Sequence, residues 1–198
     1  THEEANPVSF DFSLSAHESN VLMVKANIVT SELTQVSIQF QSADTLSYET
    51  SKSSLSLEHD MTVVGLRPET LYQFTAVITQ QSGEITTSEP QSFTTSGLPF
   101  DLPDILLKNR TDKSDSGVTF FAVSGTDARF IGLDEAGIPV WYLHGDDVPM
   151  INNSPVIKYL GDGQLMLLLR AKVWIIDMTG NLLSTYELPN YHHEATLL

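Results

Sequence analysis

The run Tyr191-His192-His193-Glu194-Ala195 holds the residues best suited to chemistry in this chain. A neutral imidazole is a nucleophile and a protonated one donates hydrogen bonds to an anion; both forms are accessible near neutral pH. Neighbouring residues on a strand point to opposite faces, so only one of the two rings can serve a given site. The run is not the His-Glu-x-x-His zinc pattern, and no other His lies at helical spacing nearby. Read alone, two adjacent histidines fit a structural or surface role as well as a chemical one.

Other candidates carry less. His144-Gly145-Asp146-Asp147 reads as a cation site or as an acidic loop between sheets. Asp112-Lys113-Ser114-Asp115-Ser116-Gly117 begins like a calcium loop, but Val123 stands where the bidentate Glu belongs, so a hairpin turn is expected. Asn109-Arg110-Thr111 and Asn152-Asn153-Ser154 are formal glycosylation acceptors, meaningful only in a eukaryotic secreted protein. Arg110, Arg129 and Arg170 are the arginines of the second half, and Arg170 falls at a turn where water can solvate it. His2, His17 and His59 have no partner motif and are expected at the surface; Trp141 and Trp174 fall on strands and are expected to pack.

The elements that must position these residues are short strands. In the first 95 or so residues, 8–12, 21–28, 36–40, 61–64, 71–78 and 85–93 alternate apolar and polar side chains between polar turns. About seven such strands predict a β-sandwich. Leu66-Arg67-Pro68-Glu69-Thr70-Leu71-Tyr72 has the Leu-x-Pro-x-Thr-x-Tyr pattern of a tyrosine corner, where the phenol bonds upstream backbone. With the Ser82-Gly83 turn and Ser92-Phe93-Thr94-Thr95 after it, this region resembles a fibronectin type III domain. Two prolines and a glycine in 97–103 then interrupt any sheet. The expected division is a sandwich domain at 1–96, a linker at 97–103 and a second domain at 104–198.

The second domain repeats itself. Ala128-Arg129-Phe130-Ile131-Gly132-Leu133-Asp134-Glu135-Ala136-Gly137 returns without a gap as Ala171-Lys172-Val173-Trp174-Ile175-Ile176-Asp177-Met178-Thr179-Gly180. From Asp134 to Asp177, as from Gly137 to Gly180, is 43 residues, the period of β-propeller blades. Strands at 156–160, 164–169, 172–177 and 182–186 make one complete up-and-down blade. Strands at 118–123, 128–133 and 139–143 belong to an earlier blade, whose innermost strand is 105–107 or comes from later chain. Residues 194–198 begin the inner strand of a third. An open meander sheet is the alternative, since two copies are few. The expected fold is all-β, an Ig/fibronectin III-like sandwich followed by the first blades of a propeller.

Composition narrows the function. A net charge of −15 with no basic stripe argues against nucleic acid. There is no cysteine, and no apolar run approaches a membrane span of about 20 residues. The chain begins at Thr1 without Met, which fits a mature secreted or periplasmic protein or a trimmed chain.

A sandwich, a proline-rich joint, the blade turn Asp134-Glu135-Ala136-Gly137-Ile138-Pro139-Val140-Trp141 and a His-His-acid-Ala leading strand together resemble the arylsulfate sulfotransferase family. The specific motifs cover about residues 129–142 and 191–195. The resemblance implies a sandwich often used in dimerisation, a six-bladed propeller and sulfuryl transfer from an aryl sulfate to a phenol without nucleotide donor or cofactor. In it a channel histidine becomes a sulfohistidine. His193-Glu194-Ala195 fits the family's His-x-Ala pattern, which implies a sulfate contact for His193 and leaves His192 as a neighbour. The family's nucleophilic His, Asn and Arg have no counterpart in these 198 residues. The chain is therefore expected to be the N-terminal portion of an enzyme, inactive alone, homo-oligomeric and with exposed strand edges. Two further readings remain: a non-catalytic secreted protein binding protein or glycan, and a metal-assisted hydrolase.

Overall fold

The computed structural model of the chain describes residues 8–43, 47–99, 102, 117–123, 129–143, 156–169 and 172–187. The chain divides into two compact units, Thr1–Leu98 and Pro99–Leu198. Every regular element among the described residues is a strand.

The first unit contains β1 (Phe10–Ala16), β2 (Val24–Ser42), β3 (Tyr48–Glu49), β4 (Ser56–Val63), β5 (Leu71–Gln80), β6 (Ile85–Thr87) and β7 (Gln91–Thr94). β2 has 19 residues and serves both layers of a sandwich. Its first part pairs antiparallel with β1 and β4, Val24 opposite Ala16 and Val63. Its second part pairs with β5 and β3, Val36 opposite Ile78 and Phe40 opposite Tyr48. Sequence alternation predicts two separate strands here. They are one because 29–35 contains neither Gly nor Pro and is rich in residues suited to extension. At the crossing, Thr30 and Thr34 are buried and their hydroxyls lie 3.2 Å apart.

Alternate residues of both layers fill one core. Val24, Ala26 and Ile28 meet Val36, Ile38, Phe74, Ala76 and Ile78, all fully buried. Removing each Val, Ile or Phe side chain among them from water contributes about 1.5–3 kcal/mol. The predicted corner is present: Arg67 N–H donates to Tyr72 Oη at 2.9 Å. Thr95 Oγ1 fastens the same corner, accepting from Thr70 N–H at 3.0 Å and donating to Arg67 O at 2.6 Å. The strand expected across 85–93 is split into β6 and β7. Pro90 cannot donate to a ladder, and just before it Ser88 completes the pairing with Ala76 through both its N–H and its hydroxyl, each at 2.9 Å.

The second unit is the beginning of a propeller. β8 (Thr119–Val123), β9 (Arg129–Leu133) and β10 (Pro139–Leu143) form a three-stranded antiparallel sheet. β11 (Val156–Gly161), β12 (Gln164–Leu169), β13 (Lys172–Asp177) and β14 (Leu182–Glu187) form a four-stranded sheet in chain order. The 43-residue register matches β9 with β13 and β10 with β14, so the first sheet corresponds to the last three strands of the second. Its innermost strand, expected at 105–107 or from later chain, lies outside the described residues, as do 194–198.

Candidate functional site

The repeated sequence folds into the same turn twice. At the first copy, Asp134 Oδ1 accepts from Ala136 N–H and Ile138 N–H, both at 2.9 Å. At the second, Asp177 Oδ1 accepts from Thr179 N–H at 2.8 Å and Asn181 N–H at 2.9 Å. Each Gly closes the turn by donating to the carbonyl of its Asp, Gly137 at 2.9 Å and Gly180 at 3.1 Å. Both glycines have positive φ, 77° and 92°, a conformation that costs an L side chain about 1–2 kcal/mol. The Asp-x-x-Gly spacing is therefore a chemical device: one carboxylate gathers the turn's N–H groups and the glycine lets the chain reverse.

Asp177 also draws side chains into its turn. Thr179 Oγ1 donates to its Oδ1 at 2.7 Å and Asn181 Nδ2 to its Oδ2 at 2.9 Å. Burial pushes its carboxyl up, but the bonds from Thr179 and Asn181 outweigh burial and hold it below the usual range.

The two sheets meet through aromatic side chains and this second turn. Phe120 lies edge-on to Trp141 at 5.5 Å and stacks with Tyr159 of the inner strand β11 at 6.3 Å. Trp141 Nε1 donates to the carbonyl of Met178 at 2.7 Å. Gly132, opposite both Phe120 and Trp141 in the ladder, leaves room for this arrangement. A Cβ there would stand 2.9 Å from Phe120 Cε1 and from Val118 Cγ1. Trp141 is buried and Trp174 half-buried, as packing residues should be.

His192 and His193 lie outside the described residues, as do His2, His144–Asp147, Asp112–Ser116, Arg110, Arg170 and both glycosylation acceptors. Arg129 is on β9. His17 is half-buried and accepts a bond from Ser19 N–H at 3.4 Å. His59 corrects the sequence reading: expected at the surface, it is only 3% exposed. Its Nε2 lies 3.1 Å from Thr34 Oγ1 and its Nδ1 2.8 Å from Ser53 Oγ. Period-2 alternation from Met61 and Val63 back to His59 was the available signal, since all three fall on one face of β4.

Among the described residues, no three His, Asp or Glu side chains converge as a metal-binding cluster would. A groove of about 280 Å³ lies beside β2 and β5, lined by Gln39, Phe40, Gln41, Gln73, Thr75 and Pro90 among others. Two of its glutamines are already engaged, Gln39 with Glu49 and Gln73 with Ser92. Among the described residues there is also no helix long and apolar enough to cross a membrane.

Comparison with protein families agrees with this architecture. Residues 13–96 match the model of the arylsulfotransferase Ig-like domain, and residues 105–198 match that of arylsulfotransferase (ASST). No curated protein matched the chain. The two family matches follow one another along most of the sequence, and the chain belongs to the arylsulfotransferase family.

Proposed function

We propose that this arylsulfotransferase-family chain serves sulfuryl transfer from an aryl sulfate to a phenol, with His193 as a contact to the sulfate group. The observation that carries the reading is the repeated blade, matched over residues 105–198 by the family model. A sheet that ends at its outer strand, β14, must be followed by a return to the hub. Glu194 comes seven residues after Glu187. Seven residues span up to about 24 Å when extended, and crossing three strand spacings needs about 14 Å. A strand starting near Glu194 can therefore begin at the hub, with His193 at its start.

The reaction has two displacements. A channel imidazole nitrogen attacks sulfur, the S–O bond to the aryl group breaks, and the phenolate leaves with the electron pair. The acceptor phenol then loses its proton to a base, its oxygen attacks the same sulfur, and the N–S bond breaks. Negative charge builds on the aryl oxygen as its bond to sulfur breaks and is redistributed over the sulfuryl oxygens, so donors that hold this charge more tightly in the transition state than in the bound ester raise the rate. A protonated His193 is such a donor. The nucleophile comes from later sheets of the ring, because propellers close with about four to eight blades. These residues supply the sandwich and the first blades, and by themselves transfer nothing.

The setting is periplasmic or secreted, and the sandwich mediates homodimerisation. The test is transfer from para-nitrophenyl sulfate to a phenol without nucleotide donor, using the full-length protein. Transfer that requires His193 supports the reading; none, or transfer indifferent to His193→Ala, removes it. A purely binding role for sandwich and propeller is then what remains.

A further inference from the structure

After β3 the chain stays beside the sheet. Thr50 N–H donates to Ile38 O at 3.0 Å, and Ser53 N–H to Val36 O at 2.8 Å. In return, Ile38 N–H donates to Thr50 Oγ1 at 3.0 Å and Val36 N–H to Ser53 Oγ at 2.9 Å. Residues 50–54 thus lie as a strap along the edge of β2, with two hydroxyls taking the place of ladder carbonyls. Ser51, Lys52 and Ser54 on the strap are exposed.

The strap is fastened to the interior by His59. Ser53 Oγ touches its Nδ1, Thr34 Oγ1 touches its Nε2, and Thr34 is bonded onward to Thr30, whose hydroxyl donates to Glu32 O at 2.8 Å. A neutral ring, donating from one nitrogen and accepting at the other, suits this chain of hydroxyls. An ionised ring can still find acceptors, because the Ser53 hydroxyl can turn to Ser54 O at 3.1 Å. What it lacks, among the described residues, is an opposite charge.

Among the described residues, the charged groups on the surrounding elements are occupied elsewhere or turned away. On β4, Glu58 and Asp60 are exposed on the alternate face, and Asp60 accepts from Asn27. On β2, Lys25 pairs with Glu18 and Glu32 accepts from Gln80. At β3, Glu49 accepts from Ser37, and on the strap Lys52 donates to Thr79. Burial accordingly lowers the proton affinity of His59, and a backbone bond at Ser56 opposes this only in part. Hydrating an imidazolium here requires moving something, and the exposed strap, held by a few bonds, is the least costly element to move.

We propose that residues 50–54 form an acid-released strap, latched by His59, that shields the Val36–Ile38 edge of β2. Its release frees the N–H and C=O groups of Val36 and Ile38, an edge to which an extended strand can add.

Amide exchange of the whole chain, expressed as protection factors, tests this between neutral pH and about pH 5, where a histidine charges. Protection at Val36 and Ile38 should fall by up to about tenfold per pH unit as pH drops from the ordinary histidine value of about 6.5 toward the lowered value of the latched ring, while Phe74 on β5 keeps its protection. His59→Gln, neutral and able to hydrogen-bond, should leave Val36 and Ile38 flat with pH. Should that variant fail to fold, Ser53→Ala should lower their protection already at neutral pH and remove the pH dependence. Unchanged protection in the parent, a fall shared equally by Phe74, or a pH dependence that survives His59→Gln overturns the proposal.

Discussion

The indole N–H of Trp141 donates to the carbonyl of Met178, joining the outer strand of one sheet to the third turn of the next. The two residues are 37 apart in sequence and the bond is 2.7 Å long. It ties one copy of the repeat to the other at the point where the second copy reverses direction.

Replacing Trp141 by Phe keeps an aromatic ring and removes that donor. The Met178 carbonyl then loses its partner, and a buried group left unsatisfied costs about 1–3 kcal/mol. Chemical denaturation should show that loss in the second unit, with the transition of the sandwich unmoved. An unchanged second transition would mean that water replaces the indole.

Gly180→Ala combines two penalties, and Gly83→Ala isolates one of them. Both glycines have similar positive φ, 92° and 88°. A Cβ at 83 meets nothing within 4 Å, whereas at 180 it stands 2.9 Å from Leu143 Cδ1. Gly83→Ala should cost about 1 kcal/mol from backbone strain alone, and Gly180→Ala about 1–3 kcal/mol more from overpacking. Equal losses in denaturation experiments would show that Leu143 yields freely.

Asp177→Asn should change the acid limb of stability. The folded carboxyl titrates below the unfolded one, so its stabilisation is fully present above the unfolded value of about 3.9 and is lost as pH falls through the folded value. In the variant, denaturation midpoints measured from neutral to acid pH should lose that part of the decline. At neutral pH the substitution should cost about 1 kcal/mol, because Asn181 Nδ2 then faces an amide in place of an anionic acceptor.

Tyr72→Phe leaves the Arg67 N–H without the phenol oxygen that it meets at 2.9 Å. Thr95 still fastens Arg67 O and Thr70 N–H, so the corner should persist with a loss of about 1–3 kcal/mol. Thermal unfolding of the sandwich reports it. No loss would assign the corner to Thr95 alone.

His193→Ala and His192→Ala should part company in the full-length protein. On the proposed reading, strand alternation would give the hub to one ring only, and the family's His-x-Ala pattern implies that it is His193. Loss of one donor to the sulfuryl oxygens should lower kcat about 10²–10³-fold, with His192→Ala close to the parent. The reverse result would shift the leading strand by one residue.

Much of this was legible in the residues because it depends on neighbours in sequence. Strands β10, β12 and β13 begin and end where alternation and turn residues place them, and Asp134, Gly137, Asp177 and Gly180 announce their turns by type and spacing. The corner at Tyr72 was readable for the same reason, its donor lying five residues upstream. β2 was misread as two strands because a change of layer leaves no mark when the chain stays extended.

By itself, then, the sequence determined the class of fold and the repeat, both local patterns of side-chain type. The tertiary structure alone decided that Ser53 and Thr34 grip the buried ring of His59, and that Gly132 makes way for Phe120 beside Trp141. Those facts join residues that are distant along the chain, and only when packing brings them together do burial and hydrogen bonding act on them.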